Sequence, residues 1–516
     1  MLRTTFYKVF FLCLLTGVFG SLSAQNPSVL QTVSPYSRFG LGDFEMNGSL
    51  INTGMGGGGI GMRNDSLLPQ FFNFANPASL TSNKLVSYEV SLLSNTVQLQ
   101  NTTEKAIFNR TTLGNFSLSF PVTKWWGAGF GLVPYSSVGY NVSTSDSLNG
   151  IGPVNYKYEG SGGVNEVFLA NGFRPFAGAP RHYLLSEKYA TLRQSGDTTA
   201  MKKQLACRNS LANISVGFQV SYLFGTLNNV RRDIFPDSMY TYNTKISKRT
   251  LFHDAYFNYG IQYSYRFKKS LNPDYVAAPD SVVTGKKWLK NEYYYMKGAG
   301  LPDTSKLFVR KPGIIFSTGI VFSMPTKVNV TDDWLAQTYK QVGTLESIKD
   351  TVLDSTNYNA YVNVPAMFGV GIALKKDYKW MFQADYMMQM WSQSGNSGNS
   401  FGLKNSQRIT AGFQYQPKPG GKGNYMTAIQ YRVGVRYYQT GLELRNTMLN
   451  EMSANFGMSM PVPYRTKLGE PISRATVNFE YGLRGTTNSN LVREDFFRVT
   501  IGITINDRWF AHYKYD

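Results

Sequence analysis

Phe496-Phe497-Arg498-Val499-Thr500-Ile501-Gly502-Ile503-Thr504-Ile505-Asn506 is the stretch on which the fold turns. Phe497, Val499, Ile501, Ile503 and Ile505 point one way, and Arg498, Thr500, Gly502 and Thr504 point the other, because side chains alternate across a strand. Three more stretches repeat the pattern. Ala475, Val477, Phe479, Tyr481 and Leu483 oppose Thr476, Asn478, Glu480, Gly482 and Arg484. Ile429, Tyr431, Val433, Val435 and Tyr437 oppose Gln430, Arg432, Gly434 and Arg436. Phe257, Tyr259, Ile261, Tyr263, Tyr265 and Phe267 oppose Asn258, Gly260, Gln262, Ser264 and Arg266. A soluble β-sandwich also alternates. Three features favour a membrane barrel: runs of about nine to eleven residues, aromatics at the run ends, and glycine recurring on the polar face. Fourteen such runs are expected between residues 85 and 506. An even count suits an antiparallel barrel with both ends of the chain on the periplasmic side.

The composition agrees. Of 516 residues only 16% are charged and 15% are aromatic, with 49 glycines and a formal charge of +20. Two cysteines exclude a disulfide framework, and three histidines leave little room for a histidine-rich metal site. Residues 1–24 read as a secretory signal peptide. Arg3 and Lys8 precede the apolar run Val9–Phe19, and Ser21-Leu22-Ser23-Ala24 offers small residues for cleavage. Without Arg3 and Lys8 the chain keeps 50 basic and 32 acidic residues, a balance of +18. Its remaining thiol is then Cys207.

Residues 25–84 are Gly-rich and irregular, and predict a plug within the lumen. Gly54, Gly56, Gly57, Gly58, Gly59 and Gly61 form the densest run. Gly54, Gly56 and Gly59 satisfy G-x-G-x-x-G, but a dinucleotide fingerprint needs a strand before it and a helix after it. Permissive backbone packed in a crowded space accounts for these glycines better.

Phe72-Asn73-Phe74-Ala75-Asn76-Pro77-Ala78-Ser79-Leu80 follows. Here the chain resembles the FadL family of outer-membrane transport proteins, which includes TodX. That family carries a Gly-rich hatch with Asn-Pro-Ala just ahead of the first strand, matched by Asn76, Pro77 and Ala78. Phe120-Pro121-Val122-Thr123-Lys124-Trp125-Trp126 and Tyr378-Lys379-Trp380 with Ala384-Asp385-Tyr386 resemble further recurrent stretches. The N-terminal Ser34–Asp43 segment looks like that of homologues from Bacteroidota, where members serve as presumed transporters and as accessory subunits of secretion machinery. Two basic insertions, 175–211 and 268–313, are longer than the transporters need, and are expected as periplasmic projections. Ser186–Arg208 reads as a short helix. Residues 140–163, 226–254 and 325–365 are expected as long outer loops.

No catalytic constellation stands out. His182, His253 and His512 are scattered, and no cofactor, metal site or enzyme activity is expected. Arg266, Asp385, Arg432, Arg436, Glu480, Arg484 and Arg498 should face the lumen, since a lipid-facing arginine costs about 2–4 kcal/mol at the midplane. There they would stitch neighbouring strands or clamp the plug. The cationic surplus fits outer-membrane lipid and lipopolysaccharide better than nucleic acid. The resemblance implies hatch-gated uptake of a hydrophobic small molecule. The alternative is a non-transporting barrel subunit docking a secretion or outer-membrane assembly machine. A general diffusion porin is disfavoured by the sixty residues committed to the plug.

Overall fold

The computed structural model describes residues 32–45, 48–64, 71–179, 191, 194–195, 198–236, 241–267, 275–277, 294–296, 314–343, 345–376, 379–417, 425–462 and 473–507. The signal peptide, His182, His512, most of the second insertion and the last nine residues lie outside them. Among the described residues no helix is long and apolar enough to cross a membrane.

The described residues include sixteen long strands: β1 (Val86–Gln100), β2 (Lys105–Pro121), β3 (Trp126–Leu148), β4 (Gly152–Phe173), β5 (Ile214–Ile234), β6 (Asn243–Arg266), β7 (Ile314–Ser323), β8 (Thr326–Val342), β9 (Leu345–Val364), β10 (Met367–Lys376), β11 (Trp380–Gln389), β12 (Ser406–Tyr415), β13 (Gln430–Leu444), β14 (Thr447–Pro461), β15 (Arg474–Arg484) and β16 (Arg493–Asp507). Fourteen of them form a closed antiparallel ring. Each pairs with the next, β7 pairs directly with β10, and β16 closes on β1 from Val86↔Asp507 to Gln100↔Arg493. The fourteen strands are those expected from the alternation. Closure leaves no sheet edge within the bilayer, where an unpaired backbone group is expensive.

The alternation sorts by side as read. Val90, Leu92, Ile261, Val433, Val435, Tyr481, Phe497 and Ile505 are exposed on the outside, the belt that lipid covers. Ser87, Glu89, Gln262, Thr476, Asn478 and Thr504 are buried within. At the end of the barrel where β1 begins and β16 ends, Trp126 stacks on Phe173 and Phe173 on Phe218, part of an aromatic girdle.

The far end departs from expectation. The segments read as long outer loops are strand extensions and a hairpin. β3, β4, β5 and β6 run to 23, 22, 21 and 24 residues, against 10 for β7 and β10. The excess is about 40 Å along the strand at roughly 3.3 Å per residue. β8 and β9 form a hairpin that leaves the ring after β7 and lies along the outer half of β6. Leu41, Val138, Val164, Leu223, Phe252, Val328, Val362 and Trp391 build an apolar core inside this outer sheet. In the first insertion the helix lies at Thr198–Leu211, C-terminal to the centre of the expected one, and Cys207 on it is exposed.

Candidate functional site

The described residues of 32–83 fill the lumen. Among them, two short 3-10 turns, Pro35–Arg38 and Pro77–Ser82, a four-residue helix, Leu50–Thr53, and the pair Asp43–Phe44 are the regular structure. The rest is held by the wall.

Asn76 is fully buried and caps the Pro77–Ser82 turn, its Oδ1 accepting from the Ala78 amide at 3.1 Å. Pro77 occupies the first position, where its missing N–H is no loss. The Asn76 Nδ2 group donates to Ile60 O within the plug at 3.1 Å and to Ile261 O of β6 at 3.3 Å. One side chain therefore fixes the turn, the Gly run and the wall together.

The glycines pack rather than swing. A Cβ on Gly61 would stand 2.7 Å from the carbonyl carbon of Ile372. One on Gly56, at φ +82°, would meet the carbonyl oxygen of Val435 at 2.7 Å. The glycines of the wall answer them: Gly260 and Gly319 lie against Asn76, and Gly412 and Gly434 against Met55. Glycine on the polar face is thus the imprint of the plug.

Of the charges expected in the lumen, Asp385 accepts from the amides of Gly59 and Ile60, the latter at 3.1 Å. Successive backbone N–H groups aimed at one carboxylate suit an anion. Arg436 pairs with Glu451 at 2.8 Å and with Glu480, which also meets Arg498 at 3.4 Å. Arg484 binds Glu494 at 2.5 Å and the plug's Asp43 at 3.0 Å. Arg432 differs: its guanidinium is satisfied by Gln414, Ser459 and Gln430 at 2.6–2.8 Å, without a carboxylate. Arg266 lies away from this group, half-buried at the last position of β6, at the end where β1 begins and β16 ends. Asp385 and Arg484 thus hold the plug, while Arg436, Glu480 and Arg498 tie neighbouring strands.

The sequence reading missed several fastenings. Glu89 takes the Leu50 amide at 2.8 Å, Asn478 holds Leu50 O at 2.7 Å, Gln383 holds Met55 O at 3.0 Å, and Lys375 holds Arg63 O at 2.7 Å. Inward polar residues on membrane strands were the available signal. Their partners, distant by hundreds of residues, were not.

The wall has one weak seam. β2 and β3 pair only from Phe116↔Leu132 to Pro121↔Gly127, so eleven residues of β2, Lys105–Asn115, turn away from β3. The bulge beside Gly114, between Ser91 and Leu92 of β1, marks the parting. The plug fills the seam. Asp43 and Phe44 pair with Ser137 and Ser136 of β3. Glu45 then reaches across: it binds Arg110 of β2 at 2.6 Å, accepts from Ser137 Oγ at 3.0 Å, and its amide donates to Tyr135 O at 3.1 Å. Burial pushes the Glu45 carboxyl up, but the Arg110 and Arg498 guanidiniums together hold it below its ordinary value. Three cavities, of about 190, 70 and 40 Å³, meet at Glu45.

The BamG family model matches residues 3–179 and 311–516. No curated protein matches the chain. Among solved structures, the toluene transporter TbuX of Ralstonia pickettii is 12% identical, with 90% of this chain and 99% of that one covered and a TM-score of 0.48. The toluene transporter TodX of Pseudomonas putida is 13% identical at the same coverage and TM-score. A FadL homologue of Pseudomonas aeruginosa is 10% identical, with 90% and 98% covered and a TM-score of 0.45.

Proposed function

The chain belongs to the BamG family, and from that premise we propose that this outer-membrane barrel is a docking subunit of an outer-membrane secretion or assembly machine, with its plug as a fixed structural core. The observation that carries this reading is the fastening of the plug. Buried bonds tie it to β1, β2, β3, β6, β10, β11, β15 and β16, among others. Each contributes about 0.5–1.5 kcal/mol net, and those to charged groups about 1.5–3. Releasing the plug as a body would forfeit on the order of 10–20 kcal/mol, more than a small solute's binding supplies.

The outer sheet adds a docking edge. Among the described residues β9 has only β8 beside it from Leu345 to Ala360, and Leu345, Ile348, Val352 and Tyr358 are more than half exposed. A long strand edge with unpaired backbone groups is a template for a partner strand, and these apolar side chains are spaced along it. Purification of tagged protein from native membranes in mild detergent, followed by mass spectrometry, tests the reading. A stoichiometric large partner is expected. A monomer carrying only lipid would overturn it.

A second reading, uptake of a hydrophobic small molecule, is favoured by the seam between β2 and β3 and the cavity beside it. In that reading Glu45 is the moving part: breaking its bond to Arg110 opens a lateral path without releasing the plug. Cysteines at Glu45 and Arg110, cross-linked by a short bismaleimide, would stop uptake of an apolar tracer and leave a docking role intact.

A further inference from the structure

A cavity of about 190 Å³ lies between the plug and the wall. Phe44, Phe74, Val133, Phe168, Val321 and Met387 give it apolar walls. An engineered apolar cavity of about 150 Å³ holds benzene, so this one has room for a single aromatic ring with a short substituent.

One side of it is polar in a particular sense. Glu166 is buried, and among the described residues no lysine or arginine forms an ion pair with it. It accepts from Gln219 Nε2 at 3.2 Å, the same Nε2 also donates to Ser221 Oγ at 3.1 Å, and the Ser221 and Tyr256 hydroxyls face the carboxyl as well, neutral donors that bring no positive charge. Gln219 Oε1 and Asn258 Oδ1, both lining the cavity, are buried acceptors without a donor. A buried carboxylate lacking a cation and two orphaned acceptors share one deficit: positive charge with N–H groups. Arg408 lines the same cavity and donates to Met387 Sδ at 3.1 Å.

We propose that this cavity binds a small organic cation, a compact aromatic or apolar body carrying a primary ammonium group. Three N–H bonds of an ammonium match Glu166, Gln219 Oε1 and Asn258 Oδ1, while the ring lies against Phe168 and Val133. The inference depends on neither reading of function, since a resident ligand suits a docking subunit as well as a transporter.

Isothermal titration of the purified full-length barrel with benzylamine, toluene and benzoate tests it. Benzylamine is expected to bind at least tenfold more tightly than either of the others, and Glu166→Gln to weaken it tenfold or more. If Glu166→Gln fails to insert, Asn258→Leu, which leaves the carboxylate in place, is expected to weaken benzylamine threefold or more. Absence of benzylamine binding, which would mean a cavity holding water only, overturns the proposal. So does toluene or benzoate binding equally well, or benzylamine binding unchanged in the variants.

Discussion

Asn76 shows how much one polar side chain does inside a barrel. Its cap contributes about 0.5–2 kcal/mol, and its loss would also strand buried carbonyls at about 1–3 kcal/mol. Asn76→Ala is therefore expected to destabilise the barrel by about 2–4 kcal/mol, read as a lower urea midpoint in detergent. Asn76→Asp keeps the cap but turns a donor into a carboxylate facing Ile60 O and Ile261 O, and is expected to be worse. The glycines make a graded test. Gly61→Ala meets Ile372 backbone and should cost about 1–3 kcal/mol in overpacking. Gly57→Ala finds only the tip of Arg436 at 3.8 Å and should cost about 1 kcal/mol, from its φ of +82° alone. Glu45 predicts a pH dependence. Its folded pKa lies below 4.5, so its contribution is full above that value and is lost as pH falls through the lower one. The stability difference between the native chain and Glu45→Gln, measured by urea unfolding, is expected to be present at pH 7 and to shrink only as pH falls below 4.5, through the lowered folded pKa.

Strands were legible where a bilayer imposes two faces. β13, β15 and β16 follow the alternation because one side meets lipid and the other meets the plug. The same physics explains the failure at the far end. β9 from Leu345 to Asn359 is exposed on nearly every residue, so no face is selected and the stretch reads as a loop. Its hairpin is separable from the ring, since Ser323 already lies opposite Met367. Replacing Thr326–Val364 by a short turn is expected to leave an inserted, heat-modifiable barrel. It should also expose Leu223 and Phe252, which pack against Val328 and Val362, and make the ends of β5 and β6 sensitive to limited proteolysis. Ile348→Lys with Val352→Lys puts charge on the open edge without touching the ring. It is expected to abolish co-purification of a docked partner while leaving insertion unchanged.

For the molecule as a whole, the question is whether the plug moves. Thr81 Oγ1 and Ser215 Oγ stand 2.8 Å apart across the plug–wall boundary. A cysteine pair there, with Cys207 replaced by serine, locks the two together. The locked barrel is expected to retain its partner in pull-down; loss of the partner on locking would show that the plug must shift. Barrel, strand number and the presence of a plug follow from local pattern, because solvent, lipid and steric crowding act on each residue in its own place. Which carboxylate takes which amide, the clamp of Glu45 across the seam, and the cavity at Glu166 depend on closure. Closure brings Glu45 to Arg110, Asp43 to Arg484 and Ser34 to Glu494, and no spacing along a chain encodes contacts that exist only once fourteen strands have met.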